Sequence, residues 1–298
     1  MAPDPSVLLH VVQGAPVTPA DFWHNWGGDT GVILSIGIVA VLYGAGVRRL
    51  WASAGRGHAV SRAEVAAFYA GIVTLLVALC SPLDSLADTL FSAHMLQHVL
   101  LIAVAAPLAI LGAPLLPLLW SLPRSTRVGA GRMWNAIGMR SAGATLVRPV
   151  PAWALHTLAL WVWHLPRLYT AALASPPVHA MEHLSFYLTA LLMWWAALKP
   201  LRGRSGIGGS IFVLAGTLAQ SSALGAILTF SGTPWYYAQS AGAGLWHLTA
   251  LEDQQLAGLI MWVPTGFIYL GGILAIMRHV LDAPETSPPT STRYIKMA

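Results

Sequence analysis

Seven long apolar blocks, joined by connectors that hold nearly all the basic residues, leave this 298-residue chain few ways to fold. The blocks run roughly Gly31–Val47, Ala63–Cys80, His94–Trp120, Val150–Leu165, Val178–Leu198, Ser210–Phe230 and Gln255–Met277. A helix needs about 20 apolar residues to cross a bilayer, so the first, second and fourth blocks must borrow flanking residues. The third is long and carries Pro107, Pro114 and Pro117, which predicts a kinked or re-entrant inner half. Only 9% of residues are charged and mean hydropathy is +0.64. Soluble domains carry about 25% charged residues, so that class is excluded. The expected fold is an all-α polytopic membrane protein, a bundle of seven transmembrane helices.

Orientation follows from where the charges fall. Arg48, Arg49, Arg56 and Arg62 lie in one connector, and Arg124, Arg127, Arg132, Arg140 and Arg148 in the next. Lys199, Arg202 and Arg204 lie in a third, with Arg278, Arg293 and Lys296 in the tail. All belong to one side, and Arg167 alone is basic on the other. The positive-inside rule then puts the N-terminus outside and the C-terminus in the cytoplasm. The expected organisation is an extracytoplasmic segment 1–30, a transmembrane domain 31–278 and a disordered cytoplasmic tail 279–298. Residues 1–30 lack the basic start and apolar core of a cleavable leader. The formal charge of +5 would hint at nucleic acid in a soluble protein, but here it splits by side, and no nucleic-acid partner is expected. The basic side meets anionic lipid, and the other, with Asp21, Asp29, Asp84, Asp88, Glu182, Glu252 and Asp253, attracts cations.

The lone cysteine, Cys80, excludes an internal disulfide and any Cys-rich metal site. Histidines are the informative residues. His94 and His98 open the third block, His164 closes the fourth, and His179 and His183 open the fifth, all at the outer ends. His94-Met95-Leu96-Gln97-His98 and His179-Ala180-Met181-Glu182-His183 are both HxxxH, which on a helix puts two imidazoles on one face. Two such pairs at one depth read as a metal site. Asp253 is expected to fix an imidazole tautomer, and Met261, two turns deeper, to offer a soft ligand. His156 is read as a hydrogen-bonded packing residue, Cys80 as a small buried one, and His247 as part of the outer loop. Ser81-Pro82-Leu83-Asp84 has the form of a capping box, opening a short amphipathic helix with Asp84 and Asp88 toward water or the metal mouth. Gln220, Ser221, Ser222 and Gly225 are read as helix-packing residues, and Trp51, Trp120, Trp161, Trp163, Trp194, Trp195, Trp235 and Trp246 as interfacial anchors.

The chain resembles the CtaG-type family of cytochrome c oxidase assembly factors, polytopic proteins of the bacterial plasma membrane. The resemblance rests on Ser81-Pro82-Leu83-Asp84 with His94-Met95-Leu96-Gln97-His98, then Trp163-His164-Leu165-Pro166 and His179…Glu182-His183. It ends with Glu252-Asp253-Gln254-Gln255-Leu256-Ala257-Gly258 and Met261-Trp262-Val263-Pro264, and so covers nearly two thirds of the chain. It implies a non-enzymatic, copper-binding role in building the metal centres of a haem–copper oxidase, with oxidase subunits as partners and a homo-oligomer left open. The expected metal residues are His94, His98, His164, His179, His183, Asp253 and Met261. Copper comes from the resemblance, because imidazoles bind zinc as well. The residues alone leave open a zinc hydrolase, with Glu182 or Asp253 as base, or a copper transporter. Haem ligation is disfavoured, since i, i+4 pairs cannot reach opposite haem faces.

Overall fold

Prolines and buried polar groups shape the bundle as much as its apolar surface does. The computed structural model describes residues 16–136, 139–198, 206–237 and 239–282, and all regular structure among them is helical. Residues 283–298 of the expected tail and the basic residues Lys199, Arg202, Arg204, Arg293 and Lys296 lie outside them, as do residues 1–15. The expected start of the tail at 279 is still helical, since the last helix runs to Leu281. Among the described residues, five helices are long and apolar enough to cross a membrane: Thr30–Ala54, Arg62–Cys80, Phe91–Leu111, Ile207–Thr229 and Ala250–Leu281. The fourth and fifth blocks fold as Pro149–Trp163 and Pro176–Leu198. The first has 15 residues, about 22 Å at 1.5 Å per residue. The second has 23 residues, but His179, Glu182 and His183 dilute its apolar character.

Outward faces of these helices are apolar, as a lipid solvent requires. Val41 is 71% exposed and Phe267 72%. Inside, Tyr43 stacks on Phe68 with ring centroids 3.7 Å apart, which joins the first two long helices. A larger core gathers Ile102, Ala106, Phe186, Ala190, Met193 and Leu214 around the Phe91–Leu111 and Pro176–Leu198 helices.

The expected distortion of the third block is present and has a local cause. The Phe91–Leu111 helix passes through a π-helical stretch, Leu100–Ala105, before Pro107. In π geometry the Ile102 carbonyl would accept from residue 107, and proline has no N–H. Trp194 Nε1 donates to that carbonyl instead, at 2.8 Å. Trp194 is therefore a buried interior donor, not an interfacial anchor. Trp163 donates to Ser185 Oγ at 2.8 Å, and Trp161, which stays 39% exposed, donates to Gln220 Oε1 at 3.0 Å. The helix stops at Leu111, Ala113 takes a left-handed φ of 48°, and Leu115–Ser121 resumes.

That resumed segment crosses the Thr30–Ala54 helix at Gly46, where an added Cβ would lie 1.8 Å from the Pro117 carbonyl oxygen. Gly225 and Gly258 do the same for the last two long helices: a Cβ on Gly258 would meet the Gly225 carbonyl at 2.5 Å. Small residues thus let backbones touch where lipid gives no hydrophobic drive for association. At the end away from the histidines, Arg49 donates to the Ser121 carbonyl at 2.6 Å, a cation on a helix C-terminus. Gly46→Ala is expected to cost about 3 kcal/mol through overpacking against backbone. Gly37→Ala, with nothing within 4 Å, is the control. Thermal unfolding midpoints in detergent separate the two.

Candidate metal centre

Two helices face each other with their polar turns at the same level. In each, the four-residue spacing stacks two imidazoles: ring centroids are 4.4 Å apart for His94 and His98, and 4.2 Å for His179 and His183. Across the gap, His94 lies 5.2 Å from His179, and His98 lies 5.2 Å from His183. Glu182 occupies the middle and is only 1% exposed. Its Oε2 is 3.7 Å from His94 Nε2, and its Oε1 is 3.8 Å from His98 Nε2. Both distances exceed a hydrogen bond.

Donor atoms of His94, His179 and His183 lie within 4.8 Å of one another, as do those of His94, His98 and Glu182. His94 belongs to both groups. Nε2 of His94, His179 and His183, both ring nitrogens of His98 and Oε2 of Glu182 have no hydrogen-bond partner among the described residues. Buried polar atoms are normally satisfied. Here the unsatisfied ones converge on one space, and they are nitrogen and oxygen Lewis bases. That donor set fits a divalent or monovalent transition-metal ion.

His164 sits beside the group, its ring 6.3 Å from that of His98. Its Nδ1 pairs with the Leu160 carbonyl at 2.6 Å, and its Nε2 is 3.3 Å from Met95 Sδ. Met261 lines a cavity of about 30 Å³ together with His98, His164, Leu224 and Tyr269. Asp253 does not act on an imidazole. Its carboxylate accepts from the backbone N–H groups of Phe91 at 2.7 Å and Ser92 at 3.0 Å, so it caps the helix that carries His94 and His98. Its neighbour Glu252 caps their own helix, in a box with Thr249.

His156 pairs with Thr189 Oγ1 at 3.0 Å as a buried residue, away from the cluster. His247 is exposed, and Cys80 belongs to neither donor group.

Sequence reasoning undervalued four positions. Glu182 was considered only as a base, yet i+3 spacing places it on the face of His179. Gln97, fully buried inside the first HxxxH, donates to the Ala78 carbonyl at 2.8 Å and Asp84 Oδ1 at 2.7 Å. Asp84 is thereby drawn away from Ser81, and the expected capping box is only half made: Ser81 Oγ accepts from Leu83 N, with Pro82 at the first helical position. Tyr169 packs edge-on to His94 at 5.2 Å and donates to Gln239, which donates to the Ala87 carbonyl. Tyr236 donates to the His164 carbonyl at 2.5 Å and stacks on Phe91. No periodicity or spacing marks these tyrosines, since they come from a surface helix and an irregular loop.

Residues 41–283 match the sequence model of the cytochrome c oxidase caa3 assembly factors. The chain belongs to that family. The four clustered histidines of this caa3 assembly factor family member, with Glu182 and the neighbouring His164, fall inside the matched region. It is also similar to two curated proteins, uncharacterized protein Mb0105 of Mycobacterium bovis and MT0111 of Mycobacterium tuberculosis. Each is 25% identical over 256 residues, which cover 84% of this chain and 38% of the relative. The chain thus spans well under half the length of these relatives. No solved structure matches it.

Two consequences are measurable. Asp253→Asn weakens the cap on the His94 helix and is expected to cost about 1–2 kcal/mol, read as a lower unfolding midpoint in detergent. Burial pushes the carboxyls of Asp84 and Asp88, on the short helix between spans, up to about 6, with the Gln97 hydrogen bond partly opposing this at Asp84. A carboxyl raised in the folded state binds more protons there than in the unfolded chain, so its charge penalises folding as pH rises through that range. Asp84→Asn/Asp88→Asn should match wild type near pH 4 and become the more stable protein by pH 7, the gap opening between about 4 and 6.

Proposed function

We propose that this chain captures copper at the His94–His98–His179–His183–Glu182 cluster, on the extracytoplasmic side of the bacterial plasma membrane. It then supports metal-centre assembly of a cytochrome c oxidase. The observation that carries the reading is the convergence of unpartnered nitrogen and oxygen donors, from two facing helices, in a chain of this family. The family supplies the oxidase, and the donor set supports a transition metal.

Topology agrees with that placement. Five helices among the described residues are long and apolar enough to span, and this reading counts Pro149–Trp163 and Pro176–Leu198 as two more. Seven spans and the basic connectors put the N-terminus outside and the tail inside. The histidine-bearing helix ends then face outward, beside the acidic loops. In this arrangement His179 and His183, the half-buried pair, form the entry, and His94 and His98 the buried wall. Glu182 supplies a negative charge that offsets that of the cation.

Copper is cargo in this reading, so no bond is made or broken in a substrate, and the chain is not an enzyme. Transfer is to oxidase subunits within the membrane, with lipid around the bundle and self-association allowed. The decisive measurement is Cu(II) titration of detergent-purified protein followed by electron paramagnetic resonance. About one Cu(II) per chain with imidazole nitrogen coupling is expected, and His94→Ala/His179→Ala should abolish it. An unchanged signal in that variant removes the cluster as the copper site. A wild-type protein that carries zinc and hydrolyses an amide or ester, both lost in His183→Ala, would instead favour a zinc hydrolase.

A further inference from the structure

Beside the imidazole–carboxylate cluster, two Lewis bases face each other with no proton to share. His164 is the cap residue at the end of the Pro149–Trp163 helix, and its Nδ1 points at the Leu160 carbonyl, 2.6 Å away. A carbonyl only accepts, so Nδ1 carries the proton, and in the neutral ring Nε2 is then a bare lone pair. That lone pair is directed at Met95 Sδ at 3.3 Å, and a thioether sulfur is also an acceptor. The alternative, an imidazolium donating to sulfur, would bury a cation with no hydrogen-bonded counter-ion. Met95 is fully buried and His164 is 6% exposed, so water reaches neither freely.

The surroundings are those of a small, soft cage. Met95 follows His94 in the helix, about 100° round the axis, and so looks away from Glu182 toward His164. The cavity of about 30 Å³ opens beside His164, with Met261 on its wall. It has room for about one water-sized body. His98 lines this cavity and also belongs to the histidine–glutamate cluster, and both of its ring nitrogens lack partners. It is the one imidazole shared by the two spaces. Thioether and imidazole together select a soft, monovalent ion, whereas the histidine and carboxylate donors of the cluster accept harder divalent ones.

We propose that Met95 Sδ and His164 Nε2 form a second site, for Cu(I), beside the histidine–glutamate cluster on another face of the same helix and connected to it through His98. The site deepens the copper reading given above and rests on it for its biological cargo, but its chemistry stands on the Met95–His164 pair alone. An ion moving from the cluster to the Met95–His164 pair exchanges ligands at His98. No electron is transferred in that step, so the ion must already be Cu(I).

The test uses the full chain in detergent, with Ag(I) and anaerobic Cu(I) as soft probes and Zn(II) as the hard one. Wild type is expected to bind two Ag(I) and one Zn(II). Met95→Leu preserves volume and apolarity, and is expected to lose one Ag(I) equivalent while keeping its Zn(II). X-ray absorption of Cu(I)-loaded wild type should show a sulfur neighbour, which is lost in Met95→Leu. Two Ag(I) retained by Met95→Leu, or a sulfur neighbour that survives it, would overturn the proposal. So would Cu(I)-loaded wild type with no sulfur neighbour, a result that does not depend on how the variant folds. Loss of Zn(II) and Cu(II) binding in wild type, with sulfur-ligated Cu(I) intact, would fail the histidine–glutamate cluster alone.

Discussion

A carboxylate buried among imidazoles sets the terms for the rest of the bundle. Placing Glu182 in a space that water barely reaches costs several kcal/mol if it is charged and unpaired. The structure surrounds it with His94, His98, His179 and His183 instead of with hydrogen-bond donors. Such a constellation is neutralised by a proton held on one imidazole or by a cation held by several. The second solution also satisfies the orphaned nitrogens, which is why the cluster reads as a binding site and not as a packing accident. Its cost must be met elsewhere, by helices held so firmly that the donors cannot disperse.

Three devices hold them. Asp253, 162 residues away in sequence from Phe91, caps the start of the His94 helix and joins the last helix to the third. Farther along, the π-helical stretch that follows His98 is stabilised by Trp194 on the carbonyl that Pro107 leaves without a partner. Gln97 ties the same turn to Ala78 and Asp84. The cap carries the helix macrodipole as well as hydrogen bonds, because a carboxylate at an N-terminus meets partial positive charge. The polar groups of this region therefore form one connected arrangement, in which removing a partner exposes another buried atom. Helix geometry puts His94 and His98 on one face and turns Met95, between them, to a different neighbour.

Much of this was legible in the chain itself. Hydrophobic blocks announced the long helices, because lipid demands apolar surface on the outside. HxxxH spacing announced the paired imidazoles, because 3.6 residues per turn brings i and i+4 together. Prolines at 107, 114 and 117 announced the break that appears between Leu111 and Leu115. Roles that depend on a partner from elsewhere were harder to read. Asp253 looked like an imidazole partner because it shares a depth with the histidines, but it meets backbone N–H groups. Trp194 looked like an interfacial anchor because it stands near a helix end, but a proline-orphaned carbonyl claims it. Asp84 matched a capping box and spends its carboxylate on Gln97.

What the sequence determined by itself is therefore local and one-dimensional: helices, their apolar faces, the pairing of histidines within a helix, and membership of an assembly-factor family. Period, spacing and composition are enough for these, since every contact involved lies within a few residues. Only the tertiary structure decided that the two histidine pairs face each other across Glu182, that His164 turns to Met95, and that Asp253 caps the His94 helix. Those outcomes depend on the rotation of each helix about its own axis. That rotation goes with contacts such as Asp253 on the Phe91 N–H and Trp194 on the Ile102 carbonyl, between segments too far apart in the chain for any local pattern to encode.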